Sequence, residues 1–156
     1  MAAQVDVGTE GDAVGIEAGI AFGAYINIGC HTDIERARNL VKGGLTTFAR
    51  FSVMHGKASG PVTETDRAVL HELRNSYDMK AHTRGDSRQA TTLTGDFIDR
   101  FAIVGPPERC VERLRELAAL GFDKVAISGA MRGVSEEDAA TSRRLVTESV
   151  IPAMKR

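Results

Sequence analysis

A nearly continuous apolar segment constrains the fold of this chain more than any other feature. Residues 20–28 read IAFGAYINI, are rich in β-forming side chains and hold a single glycine, Gly23. A half-exposed strand alternates apolar with polar residues, whereas a strand covered on both faces is apolar almost throughout. The segment therefore predicts a buried strand of a parallel sheet, with helices covering the sheet's faces.

A helix is predicted directly after this strand. Thr32-Asp-Ile-Glu35 is a capping-box pattern, in which a hydroxyl and a carboxylate satisfy the free backbone N–H groups of a helix start. Apolar residues then recur at three- and four-residue spacing, which predicts a helix to about residue 55. They are Ile34, Ala37, Val41, Leu45 and Phe48. The pair Gly43-Gly44 marks a weak point, where we expect a kink.

The middle of the chain lacks a strand pattern. After a break at residues 56–61, apolar spacing predicts a second helix with Thr63 or Thr65 as its N-cap. Residues 79–96 are polar without a sustained period, and so predict a long loop with at most one short helix. Long loops within compact domains are usually functional or disordered.

From residue 97 the pattern becomes strand, helix, strand, helix. Residues 97–105 form a short apolar segment that stops at Gly105-Pro106-Pro107, and proline at a helix start predicts a helix there. Residues 123–130 predict a second buried strand, and Ser135 predicts the N-cap of a last helix. The predicted class is a helix-rich α/β fold with two to three parallel strands.

The length leaves two architectures open. A chain of 156 residues fits one domain, whereas a closed barrel of eight β/α units typically takes about 250. Two or three parallel strands alone leave unpaired edges. The residues therefore predict either a small three-layer domain that dimerises along an exposed strand or the terminal part of a larger barrel.

Composition narrows the partners and the compartment. Twenty basic and twenty-one acidic residues give a net charge of -1 without a long run of one sign, so we expect no nucleic-acid partner. No stretch approaches the roughly 18 apolar residues of a membrane span, so we expect no membrane partner. Cys30 and Cys110 are far apart and lack a CxxC or CxxH companion, so we expect neither a disulfide framework nor a metal site. A reducing cytoplasm fits this usage.

Two segments resemble a known family. FGAYINIGCHTDIERAR and, more specifically, IVGPPERCVERLRELAALGFD at residues 103–123 are similar to the end of the luciferase-like monooxygenase superfamily. The resemblance covers roughly residues 20–152. It implies the C-terminal segment of a (β/α)8 TIM barrel over residues 19–156, with a helical and loop insertion at 62–96, behind an irregular leader at 1–18. About the last two barrel strands would be present.

The resemblance also implies an activity. Members are flavoproteins or deazaflavin-dependent oxidoreductases, so the expected cofactor is FMN or a deazaflavin such as coenzyme F420. The expected reaction is hydride transfer to or from a small organic substrate, with a monooxygenase as a variant. Much of the family's cofactor site lies in earlier strands, so an incomplete site and an inactive isolated chain are expectations too. The alternative is a non-catalytic, truncated paralogue that forms a homo-oligomer or packs on a partner barrel through its open sheet edge.

Site candidates follow from the rule that barrel enzymes place their chemistry at the carboxyl ends of strands. Asn27 and His31 follow the first strand and Ser128 ends the second, so these three are the predicted cofactor-binding residues. His82 and Arg84, in the long polar loop, are the predicted substrate-binding residues if that loop covers the site.

Each candidate also has a purely structural interpretation. His31 adjoins a helix N-cap, and the loop residues His82 and Arg84 are equally compatible with solvated positions. Cys30 is either a reactive thiol near a helix N-terminus or a small packed apolar residue. The residues point to no individual catalytic group, and function rests on the resemblance.

Overall fold

The computed structural model describes residues 21–56, 58 and 61–155. The leader predicted at 1–18 lies outside the described residues. The main elements are β1 (Gly23–Cys30), α1 (Ile34–Ser52), α2 (Glu64–Ser76), α3 (Gly95–Phe101), β2 (Ile103–Gly105), α4 (Pro107–Ala119), β3 (Lys124–Ser128) and α5 (Glu136–Leu145). Two 3₁₀ turns, Met79–Ala81 and Arg88–Thr92, lie between α2 and α3. A π-helical turn, Val146–Val150, joins α5 to the short helix α6 (Ile151–Met154).

The three strands form one parallel sheet in the order β2-β1-β3. The two strands that the sequence predicts most strongly, β1 and β3, are direct neighbours over five residue pairs, from Gly23 opposite Lys124 to Asn27 opposite Ser128. The shorter strand β2 pairs only with Ile28, Gly29 and Cys30 at the carboxyl end of β1. The prediction of a helix-rich α/β fold with two to three parallel strands is confirmed.

Helices cover both faces of the sheet, which is why β1 is apolar almost throughout. One core lies between the sheet and α1, α2 and α3, and contains Val41, Leu45, Leu73, Phe97 and Ile98. The other lies between the sheet and α4 with the C-terminal helices, and contains Ile28, Cys30, Cys110, Leu114 and Val150. Strand β2 contributes to both cores, since Ile103 packs in the second and Val104 in the first.

The helix starts that the sequence predicts agree with the structure except at α1, and helix α3 was not predicted, because the sequence predicts one strand over residues 97–105, of which only Ile103–Gly105 forms. The N-cap of α1 is Asp33, whose Oδ1 accepts hydrogen bonds from the backbone N–H groups of Glu35 and Arg36. The prediction of a capping box from Thr32 to Glu35 was therefore wrong. The carboxylate of Asp33, one residue later, accepts the hydrogen bonds from the N–H groups at the helix start instead. Thr63 caps α2 in a capping box with Asp66, and Ser135 caps α5, as predicted.

The glycine pair in α1 lies in a continuous helix and allows close packing on both sides. A Cβ added to Gly43 would lie 2.3 Å from the carbonyl oxygen of Thr83, and one added to Gly44 would lie 2.3 Å from Oδ1 of Asn27. Thr83 has a φ of 66°, in the left-handed region that non-glycine residues seldom adopt. The pair therefore seats the loop after α2 on one side of α1 and β1 on the other.

Candidate functional site

The carboxyl ends of β1 and β3 meet at one edge of the sheet, where parallel α/β folds bind their ligands. Asn27 and Ser128, two predicted cofactor-binding residues, are register partners there. Strand β1 leads into α1 on one face of the sheet, and β3 leads into helices that pack on the other face. The chain thus diverges between the two strands, and α/β sheets bind ligands beyond the carboxyl ends of their strands at such a point.

Asn27 is the most unusual polar residue at this edge. Its side chain is 5% exposed, and its Oδ1 has no hydrogen-bond partner among the described residues. Buried amides are nearly always hydrogen-bonded, and an unsatisfied one costs roughly 1–3 kcal/mol. A bound ligand is one partner that would satisfy this amide.

Asn27 also lines an apolar cavity of about 290 Å³ beside β1. Aromatic side chains form much of its wall, including Tyr25 and Phe48, whose ring centroids lie 4.9 Å apart. Two guanidinium groups also line it, Arg100 and Arg113. Each is already paired: Arg100 with Asp66 at 2.6 Å, and Arg113 with Glu116. The cavity therefore suits an uncharged, planar or apolar group.

His31 is held in the turn between β1 and α1. Its Nδ1 accepts a hydrogen bond from the backbone N–H of Asp33 at 2.9 Å, and its Nε2 lies 3.8 Å from Oδ1 of Asp138. Arg36 donates to the same Asp138 oxygen at 2.9 Å. The structural interpretation of His31 thus has direct partners, and its binding role stays a prediction. Ser128 is half-buried and also stays a prediction.

The loop that carries His82 and Arg84 is tied to the segment after β3. Arg132 donates to the carbonyl oxygen of His82 at 2.7 Å and to Oγ1 of Thr83, and Arg84 forms a backbone bridge with Arg132. The loop therefore reaches the carboxyl end of the sheet, as a loop that covers a site must. The sequence analysis did not identify Arg132. The one feature that could have indicated it is its position just after a predicted strand.

The side chains of the two predicted substrate-binding residues are already engaged. Nδ1 of His82 lies 2.8 Å from the hydroxyl of Tyr77, and Nη2 of Arg84 lies 2.6 Å from Oδ2 of Asp86. Hydrogen bonding to Arg84 lowers the pKa of Asp86, and the same bond raises the pKa of Arg84. Both side chains thus help to order the loop, and contact with a substrate stays a prediction.

The two cysteines, far apart in sequence, lie in the same core of the fold. Both are buried at 0% exposure among the apolar side chains of that core. This is the packed arrangement of Cys30 rather than an exposed reactive thiol.

Across the described ranges, no group of three or more His, Cys, Asp or Glu side chains has the arrangement of a metal site. Nor is any described helix long and apolar enough to cross a membrane.

A parallel α/β sheet with a crevice at the carboxyl ends of its strands is the framework of many cofactor-dependent enzymes. The family model for luciferase-like monooxygenases matches residues 7–124, which is most of the chain. This protein therefore belongs to the luciferase-like monooxygenase family.

The relatives agree with this assignment. The chain is 30% identical over 138 residues to 5,10-methylenetetrahydromethanopterin reductase of Archaeoglobus fulgidus, covering 85% of this chain and 38% of that protein. A solved coenzyme F420 dependent tetrahydromethanopterin reductase from Methanopyrus kandleri shares the fold, with a TM-score of 0.56 at 22% identity. That match covers 88% of this chain and 38% of the other. The chain thus corresponds to part of a luciferase-like barrel.

Proposed function

We propose that this chain forms one wall of the site of a deazaflavin-dependent oxidoreductase, which transfers hydride between coenzyme F420 and a small organic substrate. Family membership supports the oxidoreductase class. The names of the two relatives support a reductase, and that of the solved one favours coenzyme F420 over FMN and over a reaction with oxygen. The structural observation that carries the proposal is the buried, unpartnered amide of Asn27 at the carboxyl half of β1.

The residues present fit the ring of such a cofactor. A deazaflavin ring is planar, with apolar faces and a polar edge that carries carbonyl and N–H groups. The wall beside Asn27 offers aromatic side chains, including Tyr25 and Phe48, next to an amide that both donates and accepts hydrogen bonds. The strand-to-helix turn at Gly105-Pro106-Pro107 is a poor anion site, because its prolines lack N–H groups. We therefore assign only the ring to this wall.

When bound, the cofactor supplies hydride chemistry that amino acid side chains lack. The chain's own residues bind and orient it. In the proposal, Asn27 hydrogen-bonds the polar edge of the ring, while His31 and Ser128 border the crevice above. The loop with His82 and Arg84 lies over the substrate side and limits the entry of water. Such a protein would work in the cytoplasm.

A titration tests this proposal. The chain is titrated with coenzyme F420 and, separately, with FMN, and cofactor fluorescence anisotropy is followed. We expect saturable binding with preference for the deazaflavin. Asn27→Leu removes the amide while keeping the branched shape of the side chain, and should weaken binding at least about tenfold, the effect of losing one buried hydrogen bond to a ligand. Asn75→Leu, on the exposed face of α2, is the matched control and should bind like the parent chain.

Absence of binding to either cofactor would contradict the proposal for this chain. If the Asn27→Leu variant and the parent bind the cofactor equally well, the cofactor binds elsewhere and Asn27 is not part of its site. The variant is informative because we expect it to fold at least as stably as the parent. Melting curves recorded alongside the titration check that expectation.

A second function is favoured by the open edges of the sheet. No described strand pairs with the outer edge of β3, and β2 covers only three residues of β1 on the other side. Unpaired edges are sites of strand addition. The alternative is therefore a non-catalytic module that dimerises or packs on a partner barrel. Light scattering tests it: a dimer that binds no cofactor supports the module, and a monomer that binds coenzyme F420 contradicts it.

A further inference from the structure

We propose that Gly44 of α1 is a positioning residue of the site, because the absence of a side chain there leaves the space in which the buried amide of Asn27 is held. A Cβ added to Gly44 would lie 2.3 Å from Oδ1 and 3.3 Å from Cγ of Asn27. Non-bonded carbon and oxygen atoms stay well over the shorter distance apart, so any side chain at position 44 must displace the amide or the helix. The effect on cofactor binding rests on the proposed function, whereas the effect on the amide does not.

The amide of Asn27 is the group that can yield to such a side chain. The backbone of this residue is held in the sheet, where Asn27 pairs in register with Ser128 of β3. The amide itself turns about side-chain torsions. Its Oδ1 has no hydrogen-bond partner among the described residues, so no bond to that oxygen opposes the rotation. A methyl group at position 44 is therefore expected to turn the amide away from α1 and to leave strand and helix in place.

The contacts around Gly44 show that α1 and β1 meet along one shared face. Phe48, one helical turn after Gly44, packs against Tyr25, with the ring centroids 4.9 Å apart. Tyr25 lies two residues before Asn27 and therefore on the same face of β1. The methyl group of Met131, in the segment after β3, would lie 3.6 Å from a Cβ added to Gly44, so it borders the same space. Helix α1 thus lines the cavity with an aromatic ring and, one turn earlier, leaves room for the amide.

Cofactor binding should depend on Gly44 through Asn27. Gly44→Ala should weaken the binding of coenzyme F420 at least about tenfold, as Asn27→Leu does, since both take the amide away from the ring edge that it is proposed to meet. A positioning residue acts only through the group that it positions. In a chain that carries Asn27→Ala and so lacks the amide, Gly44→Ala should therefore change the affinity by less than about twofold.

The same four chains give a readout that needs no cofactor. In the parent chain, Gly44→Ala should lower the melting temperature, because the added methyl overlaps the amide. In the Asn27→Ala chain the space is empty, and the same substitution should raise the melting temperature by about 2–4 °C, because alanine favours a helix more than glycine does. This change of sign is expected only if the side chains at positions 44 and 27 occupy the same space.

Gly43→Ala is the matched control. Gly43 is the adjacent residue of the same helix, but a Cβ added to it would lie 2.3 Å from the carbonyl oxygen of Thr83, on the other side of α1 from Asn27. Gly43→Ala should lower the melting temperature by the same amount with and without Asn27→Ala. A general effect of alanine in this part of α1 would appear in both glycine variants, whereas coupling to Asn27 should appear only with Gly44.

Two results would overturn the proposal. One is a Gly44→Ala variant that binds coenzyme F420 as tightly as a parent chain that binds it. The other is an equal change of melting temperature with and without Asn27→Ala. If the parent binds no cofactor, the proposed function fails, and the melting temperatures alone decide whether Gly44 holds the amide. If Gly44→Ala fails to fold, the double variant decides: a folded Gly44→Ala, Asn27→Ala chain supports the proposal and an unfolded one contradicts it.

Discussion

Strands β1 and β3 are neighbours in one parallel sheet, yet their environments differ sharply. The carboxyl half of β1, from Asn27 to Cys30, is buried, whereas β3 is half-buried or exposed along its whole length. Ile28 is 1% exposed and Ile127 is 37% exposed. The two strands have similar apolar sequences, so the difference comes from their positions: β1 is central and β3 has an open edge.

This contrast shows what each strand still requires. Strand β1 pairs with β3 over residues 23–27 and with β2 over residues 28–30, and its carboxyl half is buried between the two cores. Strand β3 is as apolar as a buried strand without being buried, which is the state of a barrel strand without its next neighbour. Substitutions at matched positions should therefore be costly in β1 and nearly neutral in β3.

The largest difference is expected between two glycines at the carboxyl ends of these strands. A Cβ added to Gly29 would lie 2.2 Å from the backbone oxygen of Ala37 in α1, whereas one added to Gly129 meets nothing within 4 Å. Gly29→Ala should destabilise the fold by about 3 kcal/mol or more, because helix and strand must separate. Gly129→Ala should change stability by less than about 1 kcal/mol. Urea unfolding measures both, and similar values would refute the contrast.

A second comparison replaces the two isoleucines. Ile28→Ala leaves a cavity in the second core and should cost about 2–5 kcal/mol. Ile127→Ala removes a side chain that is already partly in water and should cost under about 1 kcal/mol. The measurement is again urea unfolding. A partner that covers β3 would bury Ile127 and so increase the stability lost in Ile127→Ala. Repeating the measurement at a protein concentration at which the chain associates would test this.

The sequence predicted the strands and most helices because their signals are local. The apolar run of β1, the prolines before α4, and the caps Thr63 and Ser135 each act within a few residues. The strand order follows from contacts between segments about a hundred residues apart, such as Asn27 with Ser128, and no local pattern encodes it. Asp33 was missed as the α1 cap because it competes with an adjacent threonine that fits the same pattern.

The candidate site was only partly predictable for the same reason. Position at strand ends correctly brought Asn27 and Ser128 together, but burial without a partner is a property of the surroundings, not of the asparagine. The placement of Cys30 and Cys110 in one core also depends on how α4 packs against β1. The pair Gly43-Gly44 gave an indirect signal: the sequence predicted a kink there, and the structure instead has a continuous helix that packs closely on both sides of the pair.

A smaller effect is expected at the register partners Asn27 and Ser128. Asn27→Leu removes a buried amide oxygen that has no partner, so stability should rise by roughly 1 kcal/mol. Ser128→Ala, in the exposed neighbour, should change stability by less than about 0.5 kcal/mol. Thermal melts of both variants measure the difference. A loss of stability in Asn27→Leu would mean that the amide already has a structural partner, and would weaken its assignment to a ligand.

The smallest expected effect is a difference in pH dependence between the helices that follow the two strands. Helix α1 is capped by a carboxylate and α5 by a hydroxyl. Hydrogen bonds from the backbone N–H groups of Arg36 and Glu35, with smaller contributions from the charges of Arg36 and His31, hold the pKa of Asp33 below its ordinary 3.8. A lowered carboxyl pKa means that the cap stabilises the fold fully above the pKa of the unfolded chain. The contribution is lost as the pH falls through the folded value.

Acid should therefore remove the charge of the α1 cap and leave the hydroxyl cap of α5 in place, since Ser135 does not titrate. Amide proton chemical shifts of Glu35 and Arg36, followed by NMR from pH 6 to pH 2, should titrate with a midpoint below 3.8. Asp33→Asn keeps an acceptor and removes the charge, so the titration should disappear while α1 persists. A midpoint at or above 3.8 would show that the N–H groups of α1 do not hold this carboxylate in solution.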